Sequence, residues 1–124
     1  MSQHYFMIER EDKTLVVMYG WDKPMQSVYL TLGYLNSAKC DWVEPLLLDI
    51  NIPFDRVANL QYVDEIITHI KGRLAYFNVA MPDAVHSAVV DDIGNNTVNE
   101  MSFHGATGER STISESPFDS GIWK

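Results

Sequence analysis

The run SVYLTL, residues 27–32, decides the fold class, because its aliphatic side chains occupy every second position. Its valine and two leucines therefore share one side of an extended segment, as in a strand with one buried face. Two similar runs precede it, over residues 4–10 and 14–19, with short polar turns between them. Short connections favour antiparallel pairing, since parallel neighbours need a long crossover. The first third of the chain is therefore predicted to form an antiparallel meander.

The period of the apolar residues changes from two to about 3.6 after Asp55, which predicts a helix over residues 56–71. Asp55 is a suitable N-cap for this helix, and Gly72 is suited to its left-handed end. A second helix is predicted from Pro82 to Gly94, because proline favours the first helical position. Together these patterns predict an α+β fold, with an antiparallel sheet of three to five strands packed by two helices. The apolar stripe of the first helix consists of Val57, Leu60, Val63, Ile66, Ile67 and Ile70.

A chain of 124 residues has the usual size of one domain, and its sequence contains no repeat and no linker. The prediction is a single α+β domain over residues 1–104. Residues 105–124 are rich in Gly, Ser and Thr, which predicts a mobile or loosely docked C-terminal tail. Residues 36–54 have no clear period, and within them residues 46–52 fit either a short strand or an ordered loop.

The compartment is predicted from what the sequence lacks. The single cysteine, Cys40, excludes an intramolecular disulfide. The first residues lack the basic segment and apolar stretch of a secretory signal. No apolar run approaches the ~18 residues that a membrane-spanning helix needs. The sequence therefore predicts a cytoplasmic protein with no membrane segment.

The negative charge of the chain is concentrated in two segments. The net charge is −8; residues 40–65 hold six acidic residues and one base, and residues 83–100 hold four acidic residues and no base. Direct nucleic-acid binding needs a basic surface, so the sequence predicts none. A basic protein partner fits this distribution. The alternative is a solvated surface that only keeps the protein in solution.

No catalytic motif is present. The four histidines do not have metal-ligand spacing, and there is neither an H-E-x-x-H nor a C-x-x-C motif. Asp41 beside Cys40 would raise the pKa of the thiol, so this cysteine fits a small buried side chain better than a nucleophile. The sequence therefore predicts no metal, no cofactor and no catalytic residue.

Five residues are predicted to contact a partner: Trp21, Asp64, Glu65, Asp91 and Asp92. Asp91 and Asp92 fall in the last turn of the second predicted helix, where carboxylates oppose the helix dipole. Such a misfit is typical of a site for a cation or a basic side chain, although both groups could simply point into water. Trp21, on a turn between strands, is either an exposed anchor or folded back onto the sheet.

One part of the chain resembles known proteins. The stretch Tyr5-Phe6-Met7-Ile8-Glu9-Arg10, followed by GWDKP at residues 20–24 and by Gln26, resembles the start of small uncharacterised bacterial proteins of plasmids and other mobile regions. The resemblance covers about the first quarter of the chain, residues 5–26. It implies a bacterial source, and it brings no activity and no catalytic residue with it.

Two functions remain open from the sequence. The favoured one is a small acidic, non-catalytic protein-interaction module, of the inhibitor or accessory-factor type, with a homodimer through a sheet edge left open. The alternative is a small enzyme with a carboxylate site such as Asp91 and Asp92, with or without a divalent metal. Neighbouring side chains on a helix point about 100° apart, which speaks against a shared ion. The lack of a convergent catalytic set favours the interaction module, and the question of enzyme activity stays open.

Overall fold

The structure is a computed structural model that describes residues 1–36, 38–39, 41–53 and 62–120. Within these residues it is an α+β fold, as predicted, with a seven-stranded sheet packed on one face by two helices. The strands are β1 (Ser2–Arg10), β2 (Lys13–Asp22), β3 (Ser27–Asn36), β4 (Asp41–Trp42), β5 (Leu48–Pro53), β6 (Glu100–His104) and β7 (Arg110–Ile113). The helices are α1 (Val63–Ala75), α2 (Asp83–Asn95) and the single turn α3 (Pro117–Ser120).

The predicted meander is present as β1, β2 and β3, which pair antiparallel in chain order. The clean alternation of β3 explains its central place, because it is flanked by β2 on one side and by β4 and β5 on the other. On the far side of β1 the sheet continues through β6 to β7. Alternate apolar residues of β1, β2, β3 and β5 form the core together with the apolar residues of the two long helices.

The prediction of a purely antiparallel sheet of three to five strands is wrong in two respects. The sheet has seven strands, and β6 pairs parallel to β1, from Ser2 opposite Glu100 to Phe6 opposite His104. The two helices carry the chain from β5 at one edge across the sheet to β6, and a connection this long permits parallel pairing. β4 and β7 have only two and four residues, too few for a recognisable alternation.

Helix α1 extends further than predicted at its C-terminal end. Its buried residues are Val63, Ile67, Ile70 and Leu74, whereas Ile66 is only partly buried. Gly72 lies inside the helix and does not end it, because the burial of Leu74 favours one more turn. The predicted start, with Asp55, Val57 and Leu60, lies outside the described residues.

Helix α2 also passes its predicted glycine stop. Gly94 is helical, and the left-handed residue that ends the helix is Asn96, with φ 51° and ψ 49°. Asparagine tolerates this conformation. Its side-chain oxygen accepts a hydrogen bond from Nε1 of Trp21 at 2.9 Å, which anchors the end of the helix to β2. The contact with Trp21 therefore places the end of the helix at Asn96 and not at Gly94.

The opposite face of the sheet carries an aromatic cluster, in which Phe118 of α3 packs against Trp42 of β4 and Tyr5 of β1. The rings of Trp42 and Phe118 lie 4.9 Å apart, and Phe118 meets Tyr5 edge-on at 6.3 Å. A Cβ on Gly33 would lie 2.8 Å from the Trp42 ring, so the absence of a side chain in β3 lets the indole approach. Residues 105–120, expected in a mobile or loosely docked tail, thus include β7 and the Phe118 contact. In the described part of the chain, no helix has the length and apolar character to cross a membrane.

Candidate functional site

A hydrogen-bonded chain of three titratable side chains lies buried between α2 and the sheet. Nε2 of His4 is 2.5 Å from Oδ2 of Asp92, and Nδ1 of His4 is 2.9 Å from Nε2 of His104. The two histidines sit on the neighbouring strands β1 and β6, and Asp92 reaches them from the last turns of α2. All three are buried. The chain therefore joins three elements across the core, and we call it the His4–Asp92–His104 network.

The environment of the network keeps Asp92 ionised. Burial raises the pKa of Asp92, but hydrogen bonds from His4 and Ser2 and the nearby charge of Arg110 outweigh it and lower the pKa overall. Ser2 also accepts a hydrogen bond at 3.0 Å from the backbone N–H of Trp21. His4 and Ser2 therefore both supply hydrogen-bond donors to Asp92, and a buried carboxylate requires such donors.

The same environment keeps His104 neutral. Burial lowers the pKa of His104 to about 4, and the neighbouring His4 and Arg110 act in the same direction. A neutral His104 that donates from Nε2 to His4 keeps a lone pair on Nδ1, and this buried atom has no hydrogen-bond partner in the described chain. An imidazole lone pair without a partner costs less than a buried ion, so neutrality fits the geometry.

The network is sealed from solvent, which limits what it can do. One nitrogen of His4 faces Nε2 of His104 and the other faces the Asp92 carboxylate, so these atoms bond to one another and do not converge on a common point. Across the residues that the structure describes, no group of three or more His, Cys, Asp or Glu side chains is arranged to hold a metal ion. The network is therefore a buried polar contact that joins α2 to the sheet.

An open acidic groove runs between α1 and α2 on the other side of α2. It has a volume of about 460 Å³. Three aspartates and one lysine surround a floor that includes two aliphatic side chains and a histidine. The groove is lined by Asp64, Ile67 and Lys71 of α1 and by Asp83, His86, Ser87, Val90 and Asp91 of α2. We call it the acidic groove.

Most charges of the acidic groove are exposed. Nζ of Lys71 lies 3.5 Å from Oδ1 of Asp83, and the two side chains are 50% and 91% exposed, so this ion pair is weak. Asp64 and Asp91 are exposed as well and have no salt-bridge partner among the described residues. Two carboxylates of the groove are thus available to an outside cation.

His86 is the one deeply buried side chain with polar atoms in the acidic groove. It is 5% exposed, its Nδ1 lies 3.2 Å from the hydroxyl of Tyr19 in the core, and the two rings meet edge-on. Burial lowers the pKa of His86 to about 4, with a further contribution from the charge of Lys71, against the opposite influence of Asp83. Burial also raises the pKa of Tyr19, so both partners are neutral.

The five predicted interaction residues separate into three groups. Asp64 and Asp91 come together on the acidic groove. Glu65 is exposed on α1 beside the groove but does not line it. Trp21 and Asp92 are buried, with Trp21 folded onto the core, so neither side chain contributes to the surface.

The carboxylate pair considered for an enzyme does not form. Asp91 is exposed on the groove, whereas Asp92 points into the core and accepts from His4. This divergence follows from the angle between consecutive helical side chains. The two carboxylates therefore occupy separate environments.

Sequence reasoning missed His4, His104, His86 and Asp83. The two residues of the groove carried a usable signal, because Asp83, His86, Val90 and Asp91 are spaced to share one face of a helix. His4 and His104 carried none, since they are 100 residues apart and lie in separate strands. No family model, no curated protein and no solved structure matches this chain.

Proposed function

We propose that this protein is a small, non-catalytic interaction module that binds a basic surface of another protein through the acidic groove. The observation that carries the proposal is the convergence of Asp64, Asp83 and Asp91 on one groove, where Lys71 is the only basic side chain among the described residues that line it. Opposite charge of this kind steers a cationic partner and aligns it on contact.

The floor of the groove supports the same function. Ile67 is buried and Val90 is partly buried, and both line the groove beneath the carboxylates. Lysine and arginine side chains place their aliphatic stems on apolar surface while their charged ends reach polar groups. A basic side chain would therefore find both kinds of contact here.

The strength of the interaction follows from the exposure of the charges. A single exposed ion pair contributes about 0–1 kcal/mol, so affinity depends on several carboxylates acting together. Exposed charges are screened over about 8 Å at physiological ionic strength. Binding should therefore weaken with salt.

Two double variants with equal net charge test the proposal. Asp64→Asn with Asp91→Asn removes two charges from the groove, and Asp12→Asn with Asp49→Asn removes two exposed charges elsewhere. Affinity for labelled lysine-rich and arginine-rich peptides is measured by fluorescence anisotropy at low and high salt.

The groove variant is expected to bind at least one peptide about tenfold more weakly than the control variant at low salt. Circular dichroism and thermal melts should show both variants folded. Equal loss of affinity in the two variants would mean that only net charge matters, and the groove would then not be the binding site.

A further inference from the structure

We propose that the acidic groove receives a single arginine side chain of the partner, whose guanidinium donates hydrogen bonds to the carboxylates of Asp64 and Asp91 and to Nε2 of His86. This inference rests on the proposed function and adds the residue type that the groove recognises.

The orientation of the His86 ring leaves one of its two nitrogens free to bind a ligand. Nδ1 faces the Tyr19 hydroxyl in the core, so Nε2 is the ring nitrogen away from the core, where His86 lines the acidic groove and a smaller cavity of about 270 Å³ that shares Lys71 and Asp83 with it. Nε2 has no hydrogen-bond partner among the described residues. It is also not completely enclosed by protein atoms. A side chain that is otherwise buried thus presents one polar atom to the groove.

The protonation state of His86 allows its free nitrogen to accept a hydrogen bond. Tyr19 of β2, Lys71 of α1 and Asp83 of α2 act on this ring, and Asp64 and Asp91 line the same groove. Burial keeps the imidazole neutral at physiological pH. If Nδ1–H donates to the Tyr19 oxygen, Nε2 carries a lone pair and accepts hydrogen bonds. Bound guanidinium favours that tautomer, because it offers only donors.

The chemistry of the groove then distinguishes arginine from lysine. Among the described residues, the groove offers hydrogen-bond acceptors at separate positions, including the carboxylates of Asp64 and Asp91 and one imidazole nitrogen. Guanidinium is a planar cation with five N–H donors and no acceptor, so it can reach several acceptors at once. An ammonium group is compact and strongly hydrated, and it matches such a spread of acceptors less well.

The test uses three labelled peptides that differ at one position, which holds arginine, lysine or citrulline. Citrulline keeps the shape of arginine and removes its charge. Affinity is measured by anisotropy for the wild-type protein, for the Asp64→Asn/Asp91→Asn variant and for His86→Phe, which keeps an aromatic ring without Nε2. The imidazole nitrogen resonances of His86 in the wild-type protein are followed by NMR, so the test does not depend on the folding of His86→Phe.

We expect the arginine peptide to bind the wild-type protein about tenfold more tightly than the lysine peptide, and to lose that advantage in His86→Phe. It should also shift the Nε2 resonance of His86, which the citrulline peptide should not do. Equal affinities for arginine and lysine that still depend on Asp64 and Asp91, or an unchanged Nε2 resonance at saturation, would overturn the arginine site and leave the proposed function standing. Loss of groove dependence for all peptides would overturn both.

Discussion

At the residue scale, Gly20 shows how one missing side chain allows a contact across two strands. Tyr29 of β3 reaches over β2 and donates from its hydroxyl to the carbonyl oxygen of Ser2 in β1, at 2.5 Å. Gly20 lies between them. A Cβ at this position would overlap the Ser2 carbonyl oxygen and lie 3.0 Å from the Tyr29 hydroxyl. The hydrogen bond and the strand spacing therefore both require glycine here.

Replacing Gly20 with alanine should lower the free energy of unfolding by more than about 2 kcal/mol, because the backbone must shift and the Tyr29 hydrogen bond is lost. Urea denaturation monitored by tryptophan fluorescence measures this change. Gly72→Ala is the matched control: a Cβ there meets no atom within 4 Å, and alanine in a helix should raise the stability by about 0.5–1 kcal/mol. A Gly20→Ala protein as stable as wild type would contradict the packing of β1 on β2.

At the scale of elements, α2 has two chemically different sides near its C-terminal end. Asp91 faces the acidic groove, and its neighbour Asp92 joins α2 to β1 through His4. Asn96 then ties the end of the helix to Trp21 and to the side chain of Gln26. The helix is thus fixed to the sheet by polar contacts at the end where its carboxylates oppose the dipole. The unfavourable dipole interaction of Asp92 is offset by these buried hydrogen bonds.

Changing Asp92 to asparagine should cost about 1.5–3 kcal/mol, the range for a hydrogen bond to a charged group. The same change at Asp91 should alter stability by less than about 0.5 kcal/mol, because that side chain is exposed. The two variants remove the same charge from adjacent positions. A difference between their free energies of unfolding in chemical denaturation therefore reports the buried contact and not the net charge. Similar stabilities for the two variants would show that the His4–Asp92 contact contributes nothing.

At the scale of the whole molecule, two buried histidines couple the fold to pH. His86 lies under the acidic groove and His104 lies in the network, and both pKa values are lowered to about 4 by burial. Each imidazole is neutral in the folded protein and becomes protonated in the unfolded chain near pH 6.5. The unfolded state therefore binds more protons between these values, and stability falls as the pH decreases from about 6.5 toward 4.

The expected loss between pH 7 and pH 5 is roughly 2 kcal/mol for each of the two histidines, measured as the free energy of unfolding in urea. Asp92 adds to this only at lower pH, because its contribution is lost as the pH falls from the pKa of the unfolded chain, about 3.9, through the lowered pKa of the folded protein. His104→Gln should show about half of the wild-type dependence. His69→Gln, which replaces an exposed histidine in the same way, is the matched control. A free energy of unfolding that is constant from pH 7 to pH 5 would rule out buried neutral histidines.

The elements of this fold are predictable where neighbouring residues decide them. Alternation placed β1, β2 and β3 within a few residues of their observed bounds, the period of 3.6 identified α1, and Pro82 marked the start of α2. The concentration of acidic residues pointed to Asp64 and Asp91, which the structure brings onto one groove. These features depend on local backbone preference and on composition, which the sequence carries directly.

The sequence alone thus determined the α+β class, the main strands and helices, and the acidic character of residues 40–65 and 83–100. The tertiary structure decided the parallel pairing of β6 with β1, the inward turn of Asp92, and the contacts of His4 with residues 88 and 100 positions away. Local patterns contain no information about which distant segments meet. That depends on the path of the chain over the sheet, and here the burial of the apolar faces of α1 and α2 selects the path.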